Sequence, residues 1–225
     1  MEHEEHNAQK ERYEELKAQS KRLKKRILII MGCVIGAVIL LFALLKLLDW
    51  INERNVGVPE GTYTFYSPYE GDIMEYQDYL ELNRMVDYCE DSLGYGLKQS
   101  ITDENHDEFD ANVLFLYDYL QTIIHGDAVT YNTYFNDTYF KDNEPKSSFY
   151  QQMIYNAVIY YESTEKQENG ETLAVYRLEY MIHRNDGTFR RDVDSDASRP
   201  QYITLRVGAD GTVKIERIIT VYTKK

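Results

Sequence analysis

The sequence predicts an α+β domain held behind a single N-terminal transmembrane helix. Three observations carry that reading. Residues 27 to 45, ILIIMGCVIGAVILLFALL, run without a charge. Apolar side chains recur at steps of three and four from Phe109 to Ile123. Beyond Ser163 the apolar period switches to two, with glycine-containing turn signals between the runs. Helices followed by a meander is an α+β order, here about three helices packed on a curved antiparallel sheet.

The apolar character of the first run resumes after Lys46 and continues through Leu48. A helix over 27–48 is roughly 30 Å long at about 1.5 Å per residue, which matches the hydrocarbon core. A cleaved signal would have a short charged start, an apolar stretch of about 7 to 15 residues and a small-x-small site. Here a charged tail of 26 residues comes first and no such site follows, so the helix reads as an uncleaved anchor. Lys21, Arg22, Lys24, Lys25 and Arg26 stand immediately before it. Positive residues stay in the cytoplasm, which predicts a single-pass cell-membrane protein with its N-terminus inside and residues 49–225 outside. The basic cluster 21–26 can also touch anionic lipid headgroups. Gly32 and Gly36 form a G-x-x-x-G that lets two helix backbones approach and is a route to a homodimer, although glycine is common in such helices.

The formal net charge of −13 is divided unevenly. The cytoplasmic tail 1–26 has eight Lys/Arg against six Asp/Glu, whereas residues 49–225 have 16 basic and 32 acidic residues. A domain this acidic is repelled by phosphates, so no nucleic-acid partner is expected. Cys33 falls in the anchor and Cys89 stands alone beyond it, so no intramolecular disulfide can staple the exported part. It must fold on its core, for which the length is ample. A disulfide-poor exported domain points to a bacterial envelope.

Residues 49–104 read as a linker followed by a helical or irregular juxtamembrane region, with Gly57, Pro59, Gly61, Pro68 and Gly71 in its first part. Tyr79, Leu82, Val86, Cys89 and Leu93 fit one helix face, and the same stretch also suits a pair of strands. The domain proper is expected over 105–225. Its clearest helix carries Phe109, Val113, Leu116, Leu120 and Ile123 on one stripe, with Ile124 beside it. Gly126 is a natural terminator because glycine takes the left-handed conformation without penalty, and Asp127 can then cap a second helix from Ala128 to about Phe135. A third helix is expected after Pro145, over Lys146 to about Tyr155, before a strand at 157–161. Turn signals at Glu168-Asn-Gly170, Arg184-Asn-Asp-Gly187 and Ala209-Asp-Gly211 separate the remaining strands. In Leu173–His183 the residues Tyr176, Leu178, Tyr180 and Ile182 share one face, and Arg177, Glu179 and His183 the other.

The join Ile124-His-Gly126-Asp127-Ala-Val-Thr-Tyr131-Asn-Thr-Tyr-Phe135 resembles the helix, Gly-Asp, helix, aromatic stretch of the nuclear-transport-factor-2-like superfamily. That resemblance covers about residues 105–225 and implies a cone of bent sheet closed by helices. It does not imply one reaction, because the fold hosts isomerases, dehydratases and non-catalytic assembly subunits. A short cytoplasmic tail, one span and an exported cone also resemble the bitopic scaffold subunits of type IV secretion and conjugation machines.

Enzymes with this cone use Asp, Tyr or His groups inside the cavity, and by residue type the candidates are Tyr117, Asp118, His125 and His183. None sits in a matching motif, and each also reads as helix or strand surface. Asp192, Asp194 and Asp196 open like a calcium loop, but Ala197 replaces the expected glycine and Ile203 stands where the closing Glu belongs. Nucleophile, zinc-protease and phosphate-loop spacings are absent, and no cofactor is expected. Strict alternation places Arg217 in a row with Val213, Ile215, Ile219 and Val221, where it would line the cone and hold an anionic group or an acidic partner; Arg217, Tyr117 and Asp118 are the ligand-binding candidates. A β-bulge near Glu216 would turn Arg217 to solvent instead. The functional expectation is a non-enzymatic binding or scaffolding domain at the cell envelope. The alternatives are a ligand-binding or enzymatic cone and an assembly subunit of a secretion or conjugation machine.

Overall fold

A computed structural model describes residues 63–221. The charged tail, the predicted anchor at 27–48 with Gly32 and Gly36, and the first part of the linker lie outside the described residues. Among the described residues no helix is long and apolar enough to cross a membrane.

The architecture is α+β. Three helices, α1 (Gln77–Leu80), α2 (Ala111–Ile124) and α3 (Ala128–Thr133), accompany one curved six-stranded sheet. The strands are β1 (Val86–Cys89), β2 (Gln99–Ser100), β3 (Met153–Lys166), β4 (Thr172–His183), β5 (Gln201–Val207) and β6 (Val213–Thr220), in the order β2-β1-β3-β4-β5-β6. The sheet is mixed rather than antiparallel, because β1 runs parallel to β3, pairing Val86 with Ala157 and Cys89 with Tyr160. The other pairings are antiparallel.

Each helix end follows from its side chains. Asp110 caps α2 by accepting from the amides of Asn112 (2.8 Å) and Val113 (3.0 Å). The helix buries Val113, Leu116, Leu120, Ile123 and Ile124 as expected, together with Tyr119. It stops where Gly126 takes φ +70° and the Asp127 amide donates back to the Thr122 carbonyl at 2.9 Å. Asp127 then caps α3 through the Thr130 amide at 2.9 Å. Hydrogen bonds from the Thr130 side chain and amide hold its carboxyl below the usual range.

Two expected helices are not formed. The stretch 79–93 splits into the single turn of α1 and the strand β1, which pairs with β2, so the strand-pair alternative holds. The spacing of three between Val86 and Cys89 imitates a helix face. In the strand these residues enter different clusters, Val86 the main core and Cys89 a small one with Val158 and Tyr160. The stretch 146–152 is extended, and its amides bond elsewhere: Lys146 to Asn132 Oδ1, Tyr150 to Thr188 Oγ1 and Gln152 to the Ile124 carbonyl. A local helix would forfeit those bonds, and Phe149 would leave the core.

On β4 the residues Tyr176, Leu178, Tyr180 and Ile182 are buried, with Arg177, Glu179 and His183 half-buried on the other face. Close turns join β3 to β4 and β5 to β6. Between β4 and β5 the chain instead makes a long loop, 184–200, organised by the buried Asn185, whose amide nitrogen donates to the carbonyls of Arg190 (3.0 Å) and Val193 (2.8 Å). Ile73, Tyr79, Val86 and Ile101, all before residue 105, join the same core as α2 and the meander.

Candidate functional site

The space between the helices and the sheet is filled with aromatic rings. Tyr119 lies 5.4 Å from Tyr131, which meets Phe149 at 5.4 Å and Phe189 at 5.6 Å, while Phe135 stacks on Tyr139 at 4.1 Å. The phenols of Tyr119 and Tyr180 are pushed up by burial, as packed rather than reactive groups are.

The sequence-predicted site residues are dispersed. Asp118 is exposed on α2, and His125 is exposed just past its end. Tyr117 is half-buried and lines an open cleft of about 260 Å³ together with Arg84, Thr102, Asp103 and Gln121. Its phenol is raised by burial, then by Asp103 and Asp118. Arg217 is exposed and pairs with Thr204, while Leu205 already pairs with Ile215. Glu216 is therefore the extra residue of a β-bulge, and Arg217 does not share a lining with Tyr117. The bulge leaves Ile218 packed against the core.

The three aspartates of the calcium-loop pattern do not converge. Asp192 makes a bidentate pair with Arg190, at 2.9 and 2.6 Å, and that guanidinium is buried over the Tyr180 ring. Asp194 is exposed, and Asp196 accepts from Tyr155 and His183. Among the described residues no group of three or more His, Cys, Asp and Glu side chains could hold a metal ion.

Two surface features stand out. One is a narrow notch at the end of β4, lined in part by Gln152, His183 and Arg184. The other is the loop 90–98 between β1 and β2, where Leu93, Tyr95 and Leu97 are 75, 88 and 96 % exposed. Its backbone is nonetheless held. The Asp91 carboxylate accepts from the amides of Leu93 and Tyr95, both at 3.0 Å, and Arg177 donates to the Ser92 carbonyl at 2.7 Å. Arg177 is itself fixed by Glu162 and by stacking over Tyr160 at 3.9 Å. Sequence reasoning missed this loop because Leu93 fitted a helix face. The signal was available in the alternation Leu93-Gly-Tyr95-Gly-Leu97-Lys98, in which glycines leave the apolar side chains nothing local to pack on.

Comparison with protein-family models, with curated proteins and with solved structures finds no match to this chain.

Proposed function

We propose that the protein is a single-pass membrane protein whose domain lies outside the cytoplasm and binds a protein partner, without catalysis, through the loop 90–98. The observation that carries this reading is the loop itself, three apolar side chains held out on a backbone pinned by Asp91 and Arg177. Leaving a leucine or an aromatic ring in water forgoes about 1.5–3 kcal/mol of burial free energy per side chain. A pinned backbone lowers the ordering cost of giving that surface to a partner. The filled aromatic interior supports binding at the surface over chemistry in a cavity. The charged tail, the apolar run 27–48 and the basic cluster 21–26 support the anchor and its direction. The nuclear-transport-factor-2-like cone is the finer fold reading within this proposal, supported by the Gly126-Asp127 join ahead of the meander.

One labelling experiment tests location and surface together in a Cys89→Ser background. Asn169→Cys, at the exposed turn between β3 and β4, should react with a membrane-impermeant maleimide in intact cells. Tyr95→Cys should react once the complex is dissociated in sodium dodecyl sulfate and be protected in intact cells. Reaction of Asn169→Cys only after lysis would contradict the topology, and equal reaction of Tyr95→Cys in both settings would contradict a partner on the loop.

A further inference from the structure

The hairpin of β1 and β2 has two unlike ends. Its strands pair Asp87 with Ser100 and Tyr88 with Gln99, and the Ile101 amide donates to the Val86 carbonyl at 2.9 Å. The apolar loop 90–98 is the tip. At the base lies the open cleft of about 260 Å³, where Met85, Val86 and Ile101 line it beside Tyr117 and Gln121 of α2. From Val86 to Glu90 is about 13 Å of strand. The outer backbone edge of β2 is already satisfied, because the Asn105 side chain accepts from the Thr102 amide at 2.8 Å and donates to the Ser100 carbonyl at 2.9 Å. A partner at this hairpin therefore engages side chains rather than adding a strand there.

The two ends match in size and in charge. A cavity of about 150 Å³ takes a benzene ring, so the cleft has room for the Tyr95 ring with space beside it. A buried phenol needs a hydrogen-bond partner, and the Gln121 carboxamide, which bonds to no other side chain among the described residues, lines the same cleft. Glu90 and Lys98 flank the tip, and Arg84 and Asp103 flank the base. All four are exposed, and none makes an ion pair among the described residues. A two-fold axis across the hairpin, perpendicular to its strands, reverses strand direction and sets β1 against β1 and β2 against β2. Each tip then lies over the other base, with Glu90 opposite Arg84 and Lys98 opposite Asp103. This is the self-complementarity that an isologous contact requires.

A lipid surface suits the tip less well, because Glu90 and Asp91 beside its apolar side chains are repelled by anionic headgroups. We propose that the partner of the loop 90–98 is a second copy of this chain, each copy seating Tyr95 in the other's cleft between the hairpin base and α2. This inference rests on the reading of that loop as the binding surface. Tyrosine is a common anchor at such contacts, and the rim charges select the register.

The test uses two differently tagged full-length copies made in the same cells, both with Cys33→Ser and Cys89→Ser. One carries Lys98→Cys and the other Asp103→Cys, a change that costs little because exposed ion pairs contribute little. Mild oxidation should give a disulfide-linked product carrying both tags. Adding Tyr95→Ser to both copies should reduce that product at least tenfold, and so should Arg84→Glu, which sets like charges together. Glu90→Arg added to Arg84→Glu should restore it. A linked product that survives both Tyr95→Ser and Arg84→Glu reports chance collision and would overturn the proposal. Absence of the product would overturn it as well, and the protection of Tyr95→Cys in intact cells then separates two cases. With protection kept, the loop binds a different protein and its reading as the binding surface stands. With protection lost, both readings fall.

Discussion

Alkali should unfold the full-length protein's domain in one steep step, with its buried tyrosines ionising as it unfolds. Tyr79, Tyr119, Tyr131, Tyr176 and Tyr180 are all buried in the core. Burial pushes the Tyr79 phenol up to about 12, partly offset by Arg84, and raises the other four above the ordinary value of 10.0. The direction of the effect follows from proton binding. Below the unfolded value both states keep their phenolic protons and stability is complete. Above it the unfolded chain releases protons that the native state retains, so stability falls as pH rises and is lost on passing through the raised native values. Each retained proton costs about 1.4 kcal/mol per pH unit, so five together remove about 7 kcal/mol per unit. A total stability of about 5–15 kcal/mol is then exhausted roughly one to two units above the ordinary tyrosine value. Circular dichroism and tyrosinate absorbance recorded on one sample should change together. Smooth ionisation of all tyrosines with the secondary structure retained would contradict the filled aromatic interior.

The second large effect is expected at Gly126. Its φ of +70° is unfavourable for any residue with a Cβ, and most of all for a β-branched one. A Cβ there would also lie 2.8 Å from the Gln151 amide nitrogen and 3.0 Å from the Tyr150 carbonyl carbon, both backbone atoms that cannot rotate away. Gly126→Val should therefore destabilise by about 3 kcal/mol, combining left-handed strain of about 1–2 kcal/mol with the displacement of residues 149–151. For a chain of this size that lowers the melting temperature by roughly 6–12 °C. Gly126→Ala should shift it in the same direction by less. An unchanged melting temperature in Gly126→Val would show that the join between α2 and α3 is not built as described.

How far the sequence could be read depended on whether the decisive contacts were local. The stripe on α2, the cap at Asp127, the left-handed Gly126 and the inward face of β4 are written within a few residues of themselves, and each is found as expected. The stretch 146–152 lost its expected helix to bonds with Asn132, Thr188 and Ile124, which adjoin it only in the fold. β1 was hidden for a related reason. A short parallel strand with buried residues on both faces lacks the clean alternation of an antiparallel one. Arg217 turned on a single bulged residue, a register shift that periodicity cannot see. The candidate sites were least legible of all. Nothing near Gln152 in the sequence foretells His183 or Arg184, and Asp196 looked like a metal ligand before its contacts with Tyr155 and His183 were known.

The central claim is that the loop 90–98 is where a protein partner binds. The most direct measurement compares the wild-type protein with the triple variant Leu93→Ser, Tyr95→Ser, Leu97→Ser, each extracted from cells in mild detergent and sized by light scattering. Because these side chains are exposed while the pinning groups Asp91 and Arg177 are untouched, the variant should melt at the wild-type temperature. The account predicts that the wild-type protein is extracted with a bound partner and the variant without it. A variant that keeps the partner, or a wild-type protein extracted alone, would contradict it.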